Sequence, residues 1–393
     1  MKKIIVSVFC SLIMACGNGV NNVSDLKVDT GVITSGVPSC GPDPAKQPAR
    51  CVDSKMANVC KVNAGYPGDE LALCVPRETE GQLVHFGPTN YDDPAAVEPY
   101  ILAPGGEEEF CMHANTTNKD TVYYKSYHGR MRPHSHHWIV TMPNKHYEQE
   151  AKPYVCPPNP VDRWVFGSQS PQIDVDSLTG NFVAQPGDPD YGAAHDLPPL
   201  QSLLMDLHYV NTTDQPILRE AWATIGYVDP ADVKVKVDLI GFYNPNISIP
   251  AMAHYTTPMV TCQTPSDASG QQQSVYLGLT TGHAHQRLQR LSMWHNQADG
   301  SRELAYEAHN WHEPGEAIFR DGLTNPSLPV ASGQDWGAKS GYLHVLPGES
   351  VSFECEYQND QNNTVTFGDT TKDEMCNIFG FYYPTTGKMW NCY

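Results

Sequence analysis

From about residue 81 to the C-terminus, the chain consists of short apolar or alternating runs separated by Pro, Gly, Asn and Asp. Such runs cover residues 121–124, 138–140, 203–210, 222–228, 233–243, 275–279, 342–346, 351–357 and 375–383. Clear amphipathic helices are scarce. Short runs between turn residues are typical of β-sandwiches and jelly rolls. The sequence therefore predicts an all-β fold.

The length of this region predicts two domains, because residues 81–393 are about twice the size of one such sandwich. We expect two tandem jelly-roll β-sandwiches, at 81–248 and 249–393. Asn244-Pro245-Asn246, followed by Ile247 to Pro250, is the expected joint between them.

The N-terminus has the composition of a secretion signal. Lys2 and Lys3 precede an apolar run from Ile4 to Ala15, which is too short to span a bilayer. Residues 1–15 are predicted to be a signal peptide, and Cys16 fits a bacterial lipobox, with ordinary secretion as the alternative. Residues 16–39 would be a flexible tether. We therefore expect an exported protein that a lipid on Cys16 anchors in a bacterial cell envelope.

The charge balance excludes one class of partner. The chain has 44 acidic and 25 basic residues. Such a chain repels phosphate backbones, so we expect no nucleic-acid partner.

The cysteines predict disulfides. Apart from Cys10 and Cys16 in the signal region, there are Cys40, Cys51, Cys60, Cys74, Cys111, Cys156, Cys262, Cys355, Cys376 and Cys392. An even number in an exported chain favours disulfide pairing. The first four indicate a small stapled module at 40–80, with three pairings open. With all ten paired, no thiolate remains for a blue-copper site.

A soft-metal site is indicated by His283-Ala284-His285 together with Met375. Residues i and i+2 of a strand point to the same face, so both imidazoles could reach one metal. Imidazole suits copper and a thioether is a soft ligand, so the set favours a copper that spends time as Cu(I). An exposed histidine pair and a methionine in the core explain these residues equally well.

A second group of histidines lies upstream. On a regular strand, His134 and His136 share a face and His137 points away, so either His134 or His137 could accompany His136. Adjacent His136 and His137 could bind one metal only at a bend or strand end. His208 lies near the end of a predicted strand, where Asp206 could orient its ring.

In this order, the segments resemble the copper type II, ascorbate-dependent monooxygenases. His136-His137 resembles the adjacent histidine pair of the family, and Asp206 to Tyr209 resembles its third histidine strand. His283 to His285 resembles its HxH motif, and Asp373 to Cys376 its Glu-Met-Cys segment. The resemblance covers roughly residues 81–393 and leaves out the 40–80 module. No GxSxG, Walker-type, GxGxxG or HExxH motif competes with it.

The resemblance implies two coppers in each chain. The first would be bound by His136, His137 and His208 and would pass on an electron. The second would be bound by His283, His285 and Met375 and would meet O₂ and substrate, with a reductant such as ascorbate supplying electrons. The resemblance also implies that Cys111 pairs with Cys156, Cys262 with Cys392, and Cys355 with Cys376.

The chain departs from the peptide-amidating members of the family at the implied substrate positions. Thr281 stands where those members have an Arg that holds the substrate carboxylate, and Phe379 replaces a Tyr. Asn377, which matches a substrate-contacting position, is retained. The substrate is therefore expected to be a small organic or peptidic molecule, and the two changes disfavour a C-terminal glycine.

The predicted function is copper-dependent hydroxylation of a C–H bond by a monomer. One alternative is a non-catalytic copper-binding or copper-storage lipoprotein. Another is an adhesin-like structural lipoprotein in which the histidines have no metal.

Overall fold

The structure is a computed structural model that describes residues 60–62, 73–148, 152–156, 163–168, 171–179, 184–311, 314–319, 323–324 and 342–393. The predicted all-β class is confirmed, and the jelly-roll connectivity stays a prediction. The described residues contain one short helix, α1 (Pro94–Val97), and two 3-10 helices, Glu98–Tyr100 and Pro230–Asp232. No helix in these ranges is both long and apolar enough to cross a bilayer.

The first half of the described chain forms two facing sheets. Strands β1 to β15 are Cys60–Val62, Leu73–Val75, Gly81–Phe86, Ile101–Leu102, Glu107–Asn115, Val122–Met131, Ser135–Met142, Tyr154–Val155, Arg163–Ser168, Gln172–Val175, Ala193–Leu197, Ser202–Val210, Ile217–Leu218, Ala221–Val228 and Val235–Lys236. One sheet has the order β15-β11-β6-β14-β3, with β10 beside β6, and the other has the order β8-β5-β12-β7-β9. Side chains such as Tyr127, Trp138 and Phe166 fill the core between them. We call this pair of sheets the first sandwich.

The second half repeats this arrangement. Strands β16 to β29 are Asp238–Tyr243, Ser248–Ile249, Ala253–Thr256, Val260–Gln263, Val275–His283, Leu288–Asn296, Arg302–Ala308, Glu316–Ile318, Leu323–Thr324, Leu343–Val345, Ser350–Asn359, Val365–Thr366, Asn377–Tyr383 and Trp390–Cys392. One sheet has the order β24-β23-β20-β28-β16-β29, with β25 beside β20. The other has the order β18-β26-β21-β22, with β19 beside β26. We call this pair the second sandwich; Phe242 and Phe353 lie in its core.

The division between the sandwiches lies earlier than the expected boundary at 248–249. Strand β15 still pairs with β11, whereas β16, from Asp238, already pairs with β28. The expected joint at Asn244 is a turn inside the second sandwich, where the buried Asn244 amide donates to the Pro258 carbonyl at 2.7 Å. Asn and Pro occur in turns of any kind, so their presence in the sequence does not distinguish a turn within one domain from a connection between two domains.

Strand β28 is buried on both faces. Ile378 and Tyr382 point into the core of the second sandwich. Phe381 and Tyr383, on the opposite face, pack into the core cluster of the first sandwich, as does Leu279 of β20. Burial on two faces explains why residues 378–383 are a continuous apolar run, rich in aromatic residues, with no alternating polar positions.

Three disulfides implied by the resemblance are present. Cys111 is bonded to Cys156, Cys262 to Cys392 and Cys355 to Cys376, with Cα–Cα distances of 4.9, 5.6 and 5.9 Å. Of the predicted 40–80 module, β1 pairs with β2, and Cys74 is disulfide-bonded. The signal peptide, the lipobox Cys16, the tether, Cys40 and Cys51 lie outside the described residues.

Candidate metal centre

A β-bulge brings the adjacent histidines of β7 together. His137 pairs with His208 of β12, Tyr209 pairs with Ser135, and the register shifts between these two pairs. His136 is therefore the extra residue of a bulge, where two residues of one strand oppose one residue of its neighbour. A bulge re-aims a side chain, so neighbouring histidines that would diverge on a regular strand lie in one cluster here.

The three rings have the spacing of ligands to a common metal. His208 Nδ1 lies 3.2 Å from His137 Nε2, and one ligand atom from each of His136, His137 and His208 lies within 4.8 Å of the others. Two nitrogens bound at about 2.0 Å with tetrahedral angles would be about 3.3 Å apart. His134 has a φ of 72° and an exposed side chain, and it is absent from this cluster.

Glu107 of β5 orients the His208 ring. Its Oε1 lies 3.2 Å from His208 Nε2, which leaves His208 Nδ1 directed at His137. The hydrogen bond with His208 is the main cause that lowers the pKa of Glu107 to about 2. A carboxylate on the remote nitrogen is the usual way of fixing the tautomer of a metal-binding histidine.

The expected role of Asp206 as this partner was wrong. Asp206 is hydrogen-bonded to Glu109, and burial raises its pKa well above the usual range. Glu107 was missed because it comes from another strand. Only the β5–β12 register, which the sequence does not show, brings Glu107 near His208.

The second set of histidines lies at the end of β20. His283 is the last residue of that strand, and His285 follows in the turn toward β21. His285 Nδ1 lies 3.1 Å from the Asp373 carbonyl oxygen, whereas its buried Nε2 has no hydrogen-bond partner among the described residues. Burial is the largest cause that lowers the pKa of both imidazoles. A neutral ring with a nitrogen that has no hydrogen-bond partner, as at His285, is what a metal needs.

Met375 precedes the strand that pairs with His283. Asn377 is the cross-strand partner of His283, and its Nδ2 lies 3.5 Å from Met375 Sδ. The Tyr357 hydroxyl donates to the Met375 carbonyl at 2.7 Å. The Met375 thioether thus lies beside Asn377, which is the cross-strand partner of His283.

Glu374 connects the HxH turn to the methionine segment. Its fully buried carboxylate accepts hydrogen bonds from the backbone amides of His285 and Arg287, each at 2.9 Å. Burial is the largest cause that raises the pKa of Glu374 to about 7. Because Glu374 is the neighbour of Met375, these bonds fix the position of the histidine turn relative to the thioether.

The two sets of histidines meet between the sandwiches. The ring centroid of His136 lies 6.2 Å from that of His283 and 6.1 Å from that of His285. The rings of His137 and His283 are 5.7 Å apart. The Trp311 ring lies 5.6 Å from the His136 ring. All five histidines are buried.

The predicted substrate residues lie beside this cluster in different environments. The Thr281 hydroxyl donates to the Gly315 carbonyl at 2.8 Å. The Phe379 ring stacks on Trp164 of the first sandwich at 4.3 Å and lies 6.2 Å from His283. The buried Oδ1 of Asn377 has no hydrogen-bond partner within the described ranges. Asn377 and Phe379 therefore flank the histidines, and Thr281 has its hydroxyl engaged by the backbone.

One family model matches the chain. Residues 334–393, which include Met375 and Asn377, match the C-terminal domain of copper type II ascorbate-dependent monooxygenase. This match supports membership of that family and a copper monooxygenase-like function. No curated protein matches the chain.

The solved structures give no further guidance. A crystal structure of the STIV MCP is 9% identical, with 77% of this chain and 96% of that chain covered, at a TM-score of 0.24. A crystal structure of BuGH86wt in complex with neoagarooctaose is 11% identical, with 72% and 34% covered, at a TM-score of 0.15. At these scores neither likeness carries an argument about fold or function.

Proposed function

We propose that this chain is a copper-dependent monooxygenase that hydroxylates a C–H bond of a small organic or peptidic substrate with O₂ and a reductant such as ascorbate. The observation that carries the proposal is the convergence of two buried histidine sets. In the second set, His283 pairs with Asn377, whose amide nitrogen lies 3.5 Å from Met375 Sδ. The family match to residues 334–393 supports it independently, because it rests on sequence alone.

The donor atoms suit copper. His136, His137 and His208 would hold the first ion, and His283, His285 and Met375 the second. Copper, when bound, supplies one-electron chemistry with O₂ and the reductant, and three imidazoles or a mixed imidazole–thioether set are ligands that it accepts. The 3.2 Å separation of His137 Nε2 and His208 Nδ1 supports this assignment.

The other residues hold these ligands in place. Glu107 accepts the Nε2 proton of His208, and the Asp373 carbonyl accepts the Nδ1 proton of His285. Each contact fixes one tautomer and leaves the opposite nitrogen for the metal. The Phe379 ring, which lies 6.2 Å from the His283 ring, is held against Trp164 of the first sandwich by stacking.

The environment of Thr281 bears on the substrate. Its hydroxyl is engaged by the Gly315 carbonyl, and it brings no positive charge next to His283. Phe379 and Asn377 offer an aromatic surface and an amide instead. We therefore propose a substrate that is recognised without a carboxylate anchor at residue 281.

The cellular setting follows from the N-terminal sequence. The signal-like run and Cys16 support export and a lipid anchor in a bacterial cell envelope. The acidic composition argues against nucleic acid as a partner. We propose that the protein acts as a monomer.

Oxygen uptake with ascorbate and copper, over a panel of aromatic, aliphatic and peptidic compounds, tests the proposal. Met375→Ala should lose substrate-dependent uptake while keeping the first copper, as measured by elemental analysis. His134→Asn is the matched control, because His134 is exposed and asparagine tolerates its positive φ. Full activity of Met375→Ala would refute the assignment of the second site. Tight binding of two coppers without turnover on any compound would favour the storage protein.

A further inference from the structure

The turn that precedes β7 has an unusual backbone. Residues 132–135 form this turn, in which the Ser135 amide donates to the Arg132 carbonyl at 3.4 Å. Pro133 at the second position and a φ of 72° at His134 are typical of a type II turn. A residue other than glycine keeps a positive φ only where its surroundings hold the backbone in place. Because His136 directly follows Ser135, the contacts that fix this turn also fix the start of the bulge.

Glu220 holds Arg132 at the start of this turn. Its Oε2 accepts a hydrogen bond from Arg132 Nε at 2.7 Å, and its carbonyl accepts one from the Arg132 amide at 2.9 Å. The other carboxylate oxygen accepts from the Tyr91 hydroxyl and lies 2.8 Å from His85 Nε2. The Glu220 side chain has no solvent exposure, and that of Arg132 is 8% exposed. Because a buried charge pair is costly to break from one side, it fixes both the main chain and the side chain of Arg132.

An aromatic ring covers one side of this ion pair. The Arg132 guanidinium lies 5.6 Å from the centroid of the Trp222 ring, on which His85 stacks at 5.3 Å. Leu73 and Val75 of the β1–β2 hairpin form a buried cluster with Trp222. Apolar side chains thus keep water from this side of the pair, and the lower local dielectric strengthens its hydrogen bonds.

Tyr209 connects the same turn to the strand of His208. Its hydroxyl lies within hydrogen-bond distance of the carbonyl oxygens of Arg132 and Glu220, at 3.0 and 2.9 Å. Tyr209 directly follows His208 in β12, and it pairs with Ser135 across the bulge. The turn is therefore joined to both strands that carry the first histidine set.

We propose that Glu220 is a positioning residue for the first histidine set, which consists of His136, His137 and His208. Glu220 acts through Arg132, because the turn that Arg132 begins leads into the bulge at His136. This inference rests on the proposed first copper site, and it adds a residue that sets the geometry of that site without being a ligand.

Glu220→Gln and Tyr209→Phe, both in the full chain, test this role with two readouts. The first needs no metal: the Val210 amide donates to the His134 carbonyl at 3.2 Å, so its hydrogen exchange should become faster in both variants. The second is copper titration against a chelator, in which one of the two coppers should bind about 10-fold more weakly. The Cu(II) hyperfine pattern of that copper should change in electron paramagnetic resonance. If Glu220→Gln does not fold, Tyr209→Phe, which removes one hydroxyl, carries the same test.

Asp190→Asn is the matched control for loss of a buried carboxylate. Asp190 is 2% exposed and accepts hydrogen bonds from the hydroxyls of Thr179 and Tyr342, each at 2.9 Å. It lies just before β11, which pairs with the end of β6 opposite to the turn. This variant should lose stability without changing the copper affinity, the hyperfine pattern or the exchange of Val210.

An equal weakening of copper binding in Asp190→Asn would overturn the positioning role, as would unchanged affinity and spectra in a folded Glu220→Gln protein. Absence of bound copper in a folded parent protein would instead refute the proposed function. The exchange rate of the Val210 amide would then still show whether Glu220 holds the turn, so the two failures are distinguishable.

Discussion

Glu107 and Thr371 join the two sandwiches through two hydrogen bonds on one carboxylate, which come from the backbone amide and the hydroxyl of Thr371. The same carboxylate lies 3.2 Å from His208 Nε2. A single side chain thus orients a proposed ligand and fixes the loop that precedes Met375. No sequence motif indicates this connection, because Thr371 and Glu107 are 264 residues apart.

The first prediction concerns this carboxylate. Glu107→Gln should weaken copper binding by about 10- to 100-fold, because the His208 ring loses its charged partner. The hyperfine pattern of the first copper should change as well. Glu108→Gln is the control, since Glu108 pairs with Arg219 and its side chain is 45% exposed. Equal copper affinity and unchanged spectra in Glu107→Gln would contradict the orienting role.

The second prediction separates two disulfides by their effects. Closed loops with sequence separations of 130 and 21 correspond to about 5 and about 3 kcal/mol of chain entropy, respectively. Cys262→Ala/Cys392→Ala should therefore lower the melting temperature more than Cys355→Ala/Cys376→Ala. Only Cys355→Ala/Cys376→Ala should weaken copper binding at the second site, because Cys376 directly follows Met375. Copper titrations and thermal unfolding of both variants measure these effects, and an equal loss of copper in both would oppose the prediction.

The third prediction concerns buried His195. Burial is the main cause that lowers the pKa of His195 from 6.5 to about 4. Between these two pH values the unfolded chain is protonated at this residue, whereas the folded chain is not. Stability must then fall as the pH drops from 6.5 toward 4, by about 3 kcal/mol from this group. His195→Asn should lose stability at pH 7.5 through worse packing, and should lose less on further acidification. Urea unfolding at pH 7.5 and 4.5 measures this slope, with exposed His254→Asn as control; an unchanged slope would speak against it.

The fourth prediction concerns Glu374. Glu374→Ala leaves the buried amides of His285 and Arg287 without an acceptor, at a cost of about 1 to 3 kcal/mol for each amide. Glu374→Gln retains one acceptor oxygen and should lose about half as much. Hydrogen exchange at these two amides should become faster in the order parent, Gln, Ala. An unaltered exchange rate in Glu374→Ala would show that the turn is held by other contacts.

The fold class was readable from the sequence because strand runs and turn residues are local signals. The mostly apolar run from Leu203 to Val210 and the turn residues around it are visible without tertiary information, and the run lies within β12. The boundary was not readable, since the Asn244 turn uses the same residues as a domain joint.

The grouping of the candidate ligands could be predicted from the sequence only in part. His283 and His285 lie on one short segment, and the structure keeps them together. The choice among His134, His136 and His137 depended on a bulge, which is a property of the register with β12 rather than of β7. Glu107 and the contact between His136 and His283 depend on how distant strands and whole sandwiches pack, and no local pattern encodes that packing.

The double burial of β28 makes the two halves mutually dependent for solubility. A fragment that began at Asp238 would expose Leu239, Leu279 and Phe381 to water as an apolar surface, because these side chains pack into the core of the first sandwich. Such a fragment would self-associate or aggregate, however well its own core formed. The segment that the family match detects, residues 334–393, therefore belongs to a sandwich that needs the first sandwich to cover its apolar face.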